Sequence, residues 1–64
     1  MKILKELRLQ ANLTQEELAK KAGISRVNIA MLESGKQTSA KSDTIIKLAN
    51  ALNVAPGILL HLDG

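Results

Sequence analysis

The sequence contains no Phe, Tyr or Trp and no Cys. Without aromatic rings, a core must be assembled from Leu, Ile, Val, Ala and Met. Without Cys there is no disulfide framework and no thiolate metal site, which fits a reducing compartment. No apolar run approaches the roughly 20 residues needed to cross a bilayer. The opening MKILKELRLQ intersperses charge where a signal peptide keeps an unbroken apolar core. No segment shows the strict alternation of a half-buried strand, and there are no internal repeats or low-complexity tracts. Glycine-rich phosphate loops and nucleophile signatures are missing too. His61 is the single histidine, with no second His and no carboxylate cluster near it in sequence. These absences predict a protein with no enzymatic activity, no metal, no cofactor, no membrane span and no evident small-molecule ligand.

What remains is a 64-residue chain with 45% apolar residues, enough for a folded domain and too short for two. The expectation is one domain spanning residues 1–64. Nine Lys and Arg against six Asp and Glu leave a net charge of +3, which favours a polyanionic partner. The placement of charge says more than the sum. Lys2, Lys5 and Arg8 recur along the first segment, and Lys20, Lys21, Arg26 and Lys36 belong to the centre of the chain. Glu16, Glu17 and Asp43 fall at expected helix starts, where the backbone dipole favours negative charge.

The spacing predicts five short helices. Residues 2–11 place Ile3, Leu4, Leu7 and Ala11 on one apolar face, and Asn12 is a natural stop because Asn tolerates left-handed backbone. In LTQEELAKKAGISRVNIAMLESGK (residues 13–36), Thr14 and Glu17 have the spacing of a capping box, and Leu13 and Leu18 that of a hydrophobic staple. Ser25 caps a following helix, with Ile24 and Ile29 in the equivalent staple positions. Gly23 between them suits an abrupt turn at positive φ. Leu18, Ala19, Ala22, Ile29 and Leu32 are the expected inward residues, and Ser34-Gly35 closes the second helix. Two capped helices this close form a helix-turn-helix pattern. Residues 36–42 are polar and aperiodic. Ser42 or Asp43 then caps a fourth helix bearing Ile45, Ile46, Leu48, Ala49 and Leu52, ended by Asn53. Pro56 opens a fifth helix. Its tail carries Ile58, Leu59, Leu60 and Leu62, too many apolar residues for a solvated face. At least one of them should stay exposed in a monomer.

Nearly the whole chain resembles the Cro/repressor class of DNA-binding proteins, the XRE family. The residues that carry the likeness are Arg8 on a basic first helix, L-T-Q-E-E-L-A with Gly four residues on, I-S-R-x-x-I-x-x-L-E-x-G-K, and I-I-K-L-A-x-A-L-x-V. The resemblance implies an all-α, compact five-helix lambda-repressor-like domain whose helices 2 and 3 form the helix-turn-helix. It implies that the third helix enters the major groove of double-stranded DNA, with Arg26, Val27, Asn28, Ala30 and Met31 at the base-reading positions. Thr14, Gln15, Lys36 and Lys41 become candidate phosphate contacts, and Arg8 and Glu33 a structural ion pair. A dimeric regulator in the bacterial or phage cytoplasm, associated with the nucleoid, is the implied setting, with Ile58, Leu59 and Leu62 as the implied homodimer contacts. The chain departs from relatives in placing Val27, Ala30 and Met31 where polar or basic side chains are usual. The loop after Lys36 is about one residue longer than the family's and lacks its common proline. An alternative is a protein-interaction module, or antitoxin-like partner, that keeps the fold and uses the Val27/Ala30/Met31 face to bind protein.

Overall fold

A computed structural model describes the backbone of residues 1–61 and the side chains of residues 1–59. Within these, five helices are joined by short loops: α1 (Lys2–Gln10), α2 (Gln15–Ala22), α3 (Arg26–Ser34), α4 (Ser42–Leu52) and α5 (Pro56–His61). Local side-chain chemistry sets most of the boundaries. The Thr14 hydroxyl accepts from the Glu17 N–H at 3.0 Å, and a Glu17 carboxylate oxygen accepts from the Thr14 N–H at 2.9 Å. The capping box thus satisfies two donors that the first turn of α2 would otherwise leave bare. Ser25 repeats half of the device, its hydroxyl accepting from the Asn28 N–H at 3.0 Å. Gly23 (φ 76°) and Gly35 (φ 84°) end α2 and α3 in left-handed backbone, where a β-carbon would be strained. Asn12 and Asn53, both at φ 59°, make the same turn after α1 and α4.

Helix α4 is central, packing on α2 and α5, while α3 packs on α2 and α1. The core consists of Leu4, Leu18, Ile29, Leu32, Ile45, Leu48 and Leu59, all essentially without solvent exposure, filled out by the small Ala19, Ala22, Ala49 and Ala51. Short alanines let helix axes approach, which compensates for the absence of large aromatic fillers.

Four expectations are corrected. Helix α1 ends at Gln10, so Ala11 is its exposed cap residue, and the inward position one turn beyond Leu4 belongs to Arg8. Helix α4 has Lys41 at its N-cap with no side-chain bond; neither Ser42 nor Asp43 caps it. The reason is that the Lys41 carbonyl already accepts from the Ile45 N–H at 3.0 Å, starting the helical ladder one residue early. Ile46 is 47% exposed, while Ala51 is buried. A helix turns by about 100° per residue. Ile46 and Ala51 therefore flank opposite edges of the arc shared by Ile45, Leu48, Ala49 and Leu52, and packing against neighbouring helices covers only the Ala51 side. Finally, Leu59 is a core residue, 1% exposed where α5 lies on α4, so it is not available to a second copy; Ile58 beside it is 37% exposed. Leu62 lies outside the described residues.

The backbone N–H of Thr14, and then its hydroxyl, hold the Glu17 carboxyl below its ordinary value of 4.5. A lowered value means that ionised Glu17 favours the folded state. That contribution is fully present above about pH 4.5 and is lost as pH falls through the lowered value. Glu17→Gln retains an acceptor at this position without the titration. In urea unfolding, the wild type should exceed Glu17→Gln in stability most at neutral pH, and the difference should vanish at pH values below the lowered one.

Candidate functional site

The site is assembled where the start of α2 meets both ends of α3. Its foundation is Arg8, the one charged residue in the core of the described chain, at 8% exposure. The Arg8 Nε donates to Glu33 Oε2 at 2.7 Å and Nη2 to Glu33 Oε1 at 3.2 Å, a two-pronged ion pair from α1 to the last turn of α3. The third edge of the guanidinium, Nη1, donates to the Leu13 carbonyl at 2.7 Å, in the turn between α1 and α2. The Glu33 side chain is only 4% exposed and also accepts from Gln15 Nε2 at 3.1 Å. One carboxylate thus gathers α1, α2 and α3. Among the described residues no buried side-chain polar atom lacks a partner.

This network settles the placement of several side chains. Each nitrogen of the Arg8 guanidinium donates one hydrogen bond within the domain, so the side chain is held in place by Glu33 and Leu13. Gln15 is half-buried, with one amide N–H held by Glu33; its second amide proton and its carbonyl oxygen stay open. The backbone N–H groups of Gln15 and Glu16 have no acceptor among the described residues, so the start of α2 presents bare donors at the positive end of its dipole. Thr14 is exposed, but its hydroxyl and N–H are both engaged in the capping box. Sequence reasoning missed the Gln15–Glu33 bond, because residues 18 apart carry no periodic signal of contact.

On α3, Val27, Ala30, Met31 and Ser34 stand at i, i+3, i+4 and i+7, the spacing of one continuous face. Ile29 and Leu32 are buried on the opposite side. Val27 is 58% and Met31 39% exposed. These four residues, with Arg26 and Lys36, line a shallow groove of about 360 Å³. Arg26 also lines a second concavity, of about 570 Å³, together with Arg8, Leu9, Thr14, Gln15 and Glu16. Arg26 is the shared wall that makes the α2 start and the outer face of α3 one surface. Asn28 and Lys41 line neither groove. Asn28 is half-buried and contributes its backbone N–H to the Ser25 cap; Lys41 is exposed at the start of α4. Lys36 is exposed just past α3, its N–H donating to the Ser34 hydroxyl at 3.4 Å. Among the described residues no group of His, Asp or Glu is arranged to hold a metal, and no helix is long and apolar enough to cross a membrane.

A helix-turn-helix family profile matches residues 4–59. An uncharacterized HTH-type transcriptional regulator from Archaeoglobus fulgidus is 54% identical over 33 residues, covering 52% of this chain and 46% of that protein. In Bacillus subtilis, the uncharacterized HTH-type transcriptional regulator RghRB is 45% identical over 51 residues, covering 80% of this chain and 37% of its own length. The HTH-type transcriptional repressor RghR, from the same organism, is 41% identical over 61 residues, covering 95% of this chain and 45% of its own. The chain spans less than half the length of each of these relatives. No solved structure is a significant match.

Removing one member of the Arg8–Glu33 pair leaves the other charge buried and alone. Arg8→Met should therefore cost about 3–5 kcal/mol in urea unfolding. Arg8→Met combined with Glu33→Leu should recover a large part of that loss, because no uncompensated charge remains buried.

Proposed function

The chain belongs to the helix-turn-helix family of XRE, Cro-like regulators, and on that premise we propose that it binds double-stranded DNA sequence-specifically as a small transcriptional regulator. The observation that carries this reading is the continuity of the surface around Arg26. Bare N–H donors and the half-tethered Gln15 amide lie on one side of it, and the outward stripe of α3 on the other. Helix N-termini bind phosphate through free N–H groups and the dipole, so the Gln15 side chain and the backbone N–H groups of Gln15 and Glu16 serve as a phosphate clamp. Lys36 and Lys41 add charge on the far side. With the clamp seated, α3 lies in the major groove. Arg26 forks onto guanine O6 and N7, Asn28 bonds an adenine edge or phosphate, and Val27, Ala30 and Met31 make apolar contacts with the bases.

We further propose that the protein acts as a homodimer on a pseudo-palindromic operator with half-sites about 10 bp apart. Ile58, exposed beside the buried Leu59, is the surface apolar residue this proposal assigns to the contact. One relative is a transcriptional repressor, which favours repression over activation. A second reading, a protein-interaction module, draws on the exposure of Val27 and Met31 next to one another on α3.

Titration against random duplex DNA at increasing salt separates the two readings. The DNA-binding reading expects log K to fall with log salt, by about 0.9 for every phosphate neutralised. Absent or salt-independent binding favours the protein module. On a selected operator, Arg26→Ala should cost about 1–3 kcal/mol, with a much smaller loss on random DNA. Ile58→Asp, at an exposed position, should shift the wild-type dimer to monomer in a sizing experiment with the helical signal unchanged. An unaltered elution position removes α5 from the contact.

A further inference from the structure

The outward face of α3 has an unusual chemical property. Val27, Ala30 and Met31 have no hydrogen-bonding group, and the next residue on the face, Ser34, has its hydroxyl engaged. Ser34 Oγ donates to the Met31 carbonyl at 3.2 Å and accepts from the Lys36 N–H at 3.4 Å. From Val27 to Ser34 the stripe therefore presents no side-chain donor proton, while its ends carry the cations Arg26 and Lys36. On the DNA-binding reading, Lys36 lies toward the phosphates and Arg26 toward a base edge, and the neutral stripe between them faces the groove floor. Hydrogen-bond readout of the base edges is not open to such a stripe. The feature of the major-groove floor it can recognise is the C5-methyl group of a pyrimidine.

Resting on the DNA-binding reading above, we propose that Val27, Ala30 and Met31 are a methyl-reading surface. It selects C5-methylated pyrimidines and treats thymine and 5-methylcytosine as equivalent. Thymine places a carbonyl acceptor beside its methyl, and 5-methylcytosine an amino donor in the same place. A surface with neither donor nor acceptor cannot separate the two, whereas loss of the methyl exposes both Val27 and Met31 to water again. Val27 and Met31 are the specificity-determining residues for this feature, and Arg26 supplies the hydrogen-bonded base contact that sets the register.

The full chain is first used to select duplexes from a random pool. The enriched duplex is then synthesised with its thymines intact, with deoxyuridine in their place, and with dC·dG or 5-methyl-dC·dG pairs at the same positions. Affinities are compared by fluorescence anisotropy at one salt concentration. Each deoxyuridine should weaken binding about fourfold, the value of one buried methyl-sized group. Unmethylated cytosine should lose as much, and 5-methylcytosine should restore affinity to within about twofold of thymine. Val27→Ser and Met31→Gln alter exposed side chains and should bring the thymine-to-deoxyuridine ratio towards one. Equal affinity for the thymine and deoxyuridine duplexes, or 5-methylcytosine no better than cytosine, overturns the proposal. So does a selected pool without enriched thymines that still binds with the expected salt dependence, an outcome that leaves DNA binding itself intact. Failure to bind any duplex at low salt removes the DNA-binding reading and this proposal with it.

Discussion

The Arg8–Glu33 ion pair is the constraint on which the geometry of this domain depends. A charge pair removed from water stabilises a fold only when its remaining hydrogen-bonding capacity is also met. Here the Leu13 carbonyl and the Gln15 amide meet it, and each belongs to a different part of the site. The pair is therefore more than a link between α1 and α3. It fixes the turn that precedes α2, holds the Gln15 side chain against α3, and sets the distance from the α2 start to the outer face of α3. Among the described residues the other ion pairs are surface contacts along single helices, Lys20–Glu16 at 3.8 Å and Lys47–Asp43 at 3.2 Å, and contribute little by comparison.

Around that pair the domain is built economically. A chain of this size buries a modest fraction of its surface, so efficient helix ends and close packing matter more than in a larger protein. The capping box at Thr14, the Ser25 cap, and the left-handed terminations at Gly23, Gly35, Asn12 and Asn53 define short helices that would be marginal in isolation. Alanines at the packing faces of α2 and α4 draw the axes together, and seven large aliphatic side chains fill the interior. The exposed face of α3 is consequently presented on a rigid support, with its inward neighbours Ile29 and Leu32 fully enclosed.

The surface so presented separates two tasks. Charge and backbone donors gather at its margins, at the start of α2, at Arg26 and at Lys36, where they would attract and orient a polyanion. The middle of the stripe is apolar. In such an arrangement the electrostatic margin contributes affinity with little discrimination, and discrimination falls to Arg26 and to the shape of the apolar strip.

The sequence by itself determined most of the helix starts and stops, the last residue of α1 and the start of α4 excepted. Capping is a contact between residues three apart, and a left-handed termination depends on one glycine or asparagine. Such signals are complete within a few residues, so Thr14, Glu17, Gly23, Ser25, Gly35 and Asn53 were legible directly. The family likeness added the order of the parts and the pairing of Arg8 with Glu33. Only the tertiary structure decided which side of each helix faces inward at its margins. It turned Arg8 in and left Ala11 out, exposed Ile46 while burying Ala51, placed Leu59 in the core beside an exposed Ile58, and brought Gln15 onto Glu33. Those outcomes depend on neighbours contributed by distant segments, and a residue's own periodicity records only that it is near the edge of a face.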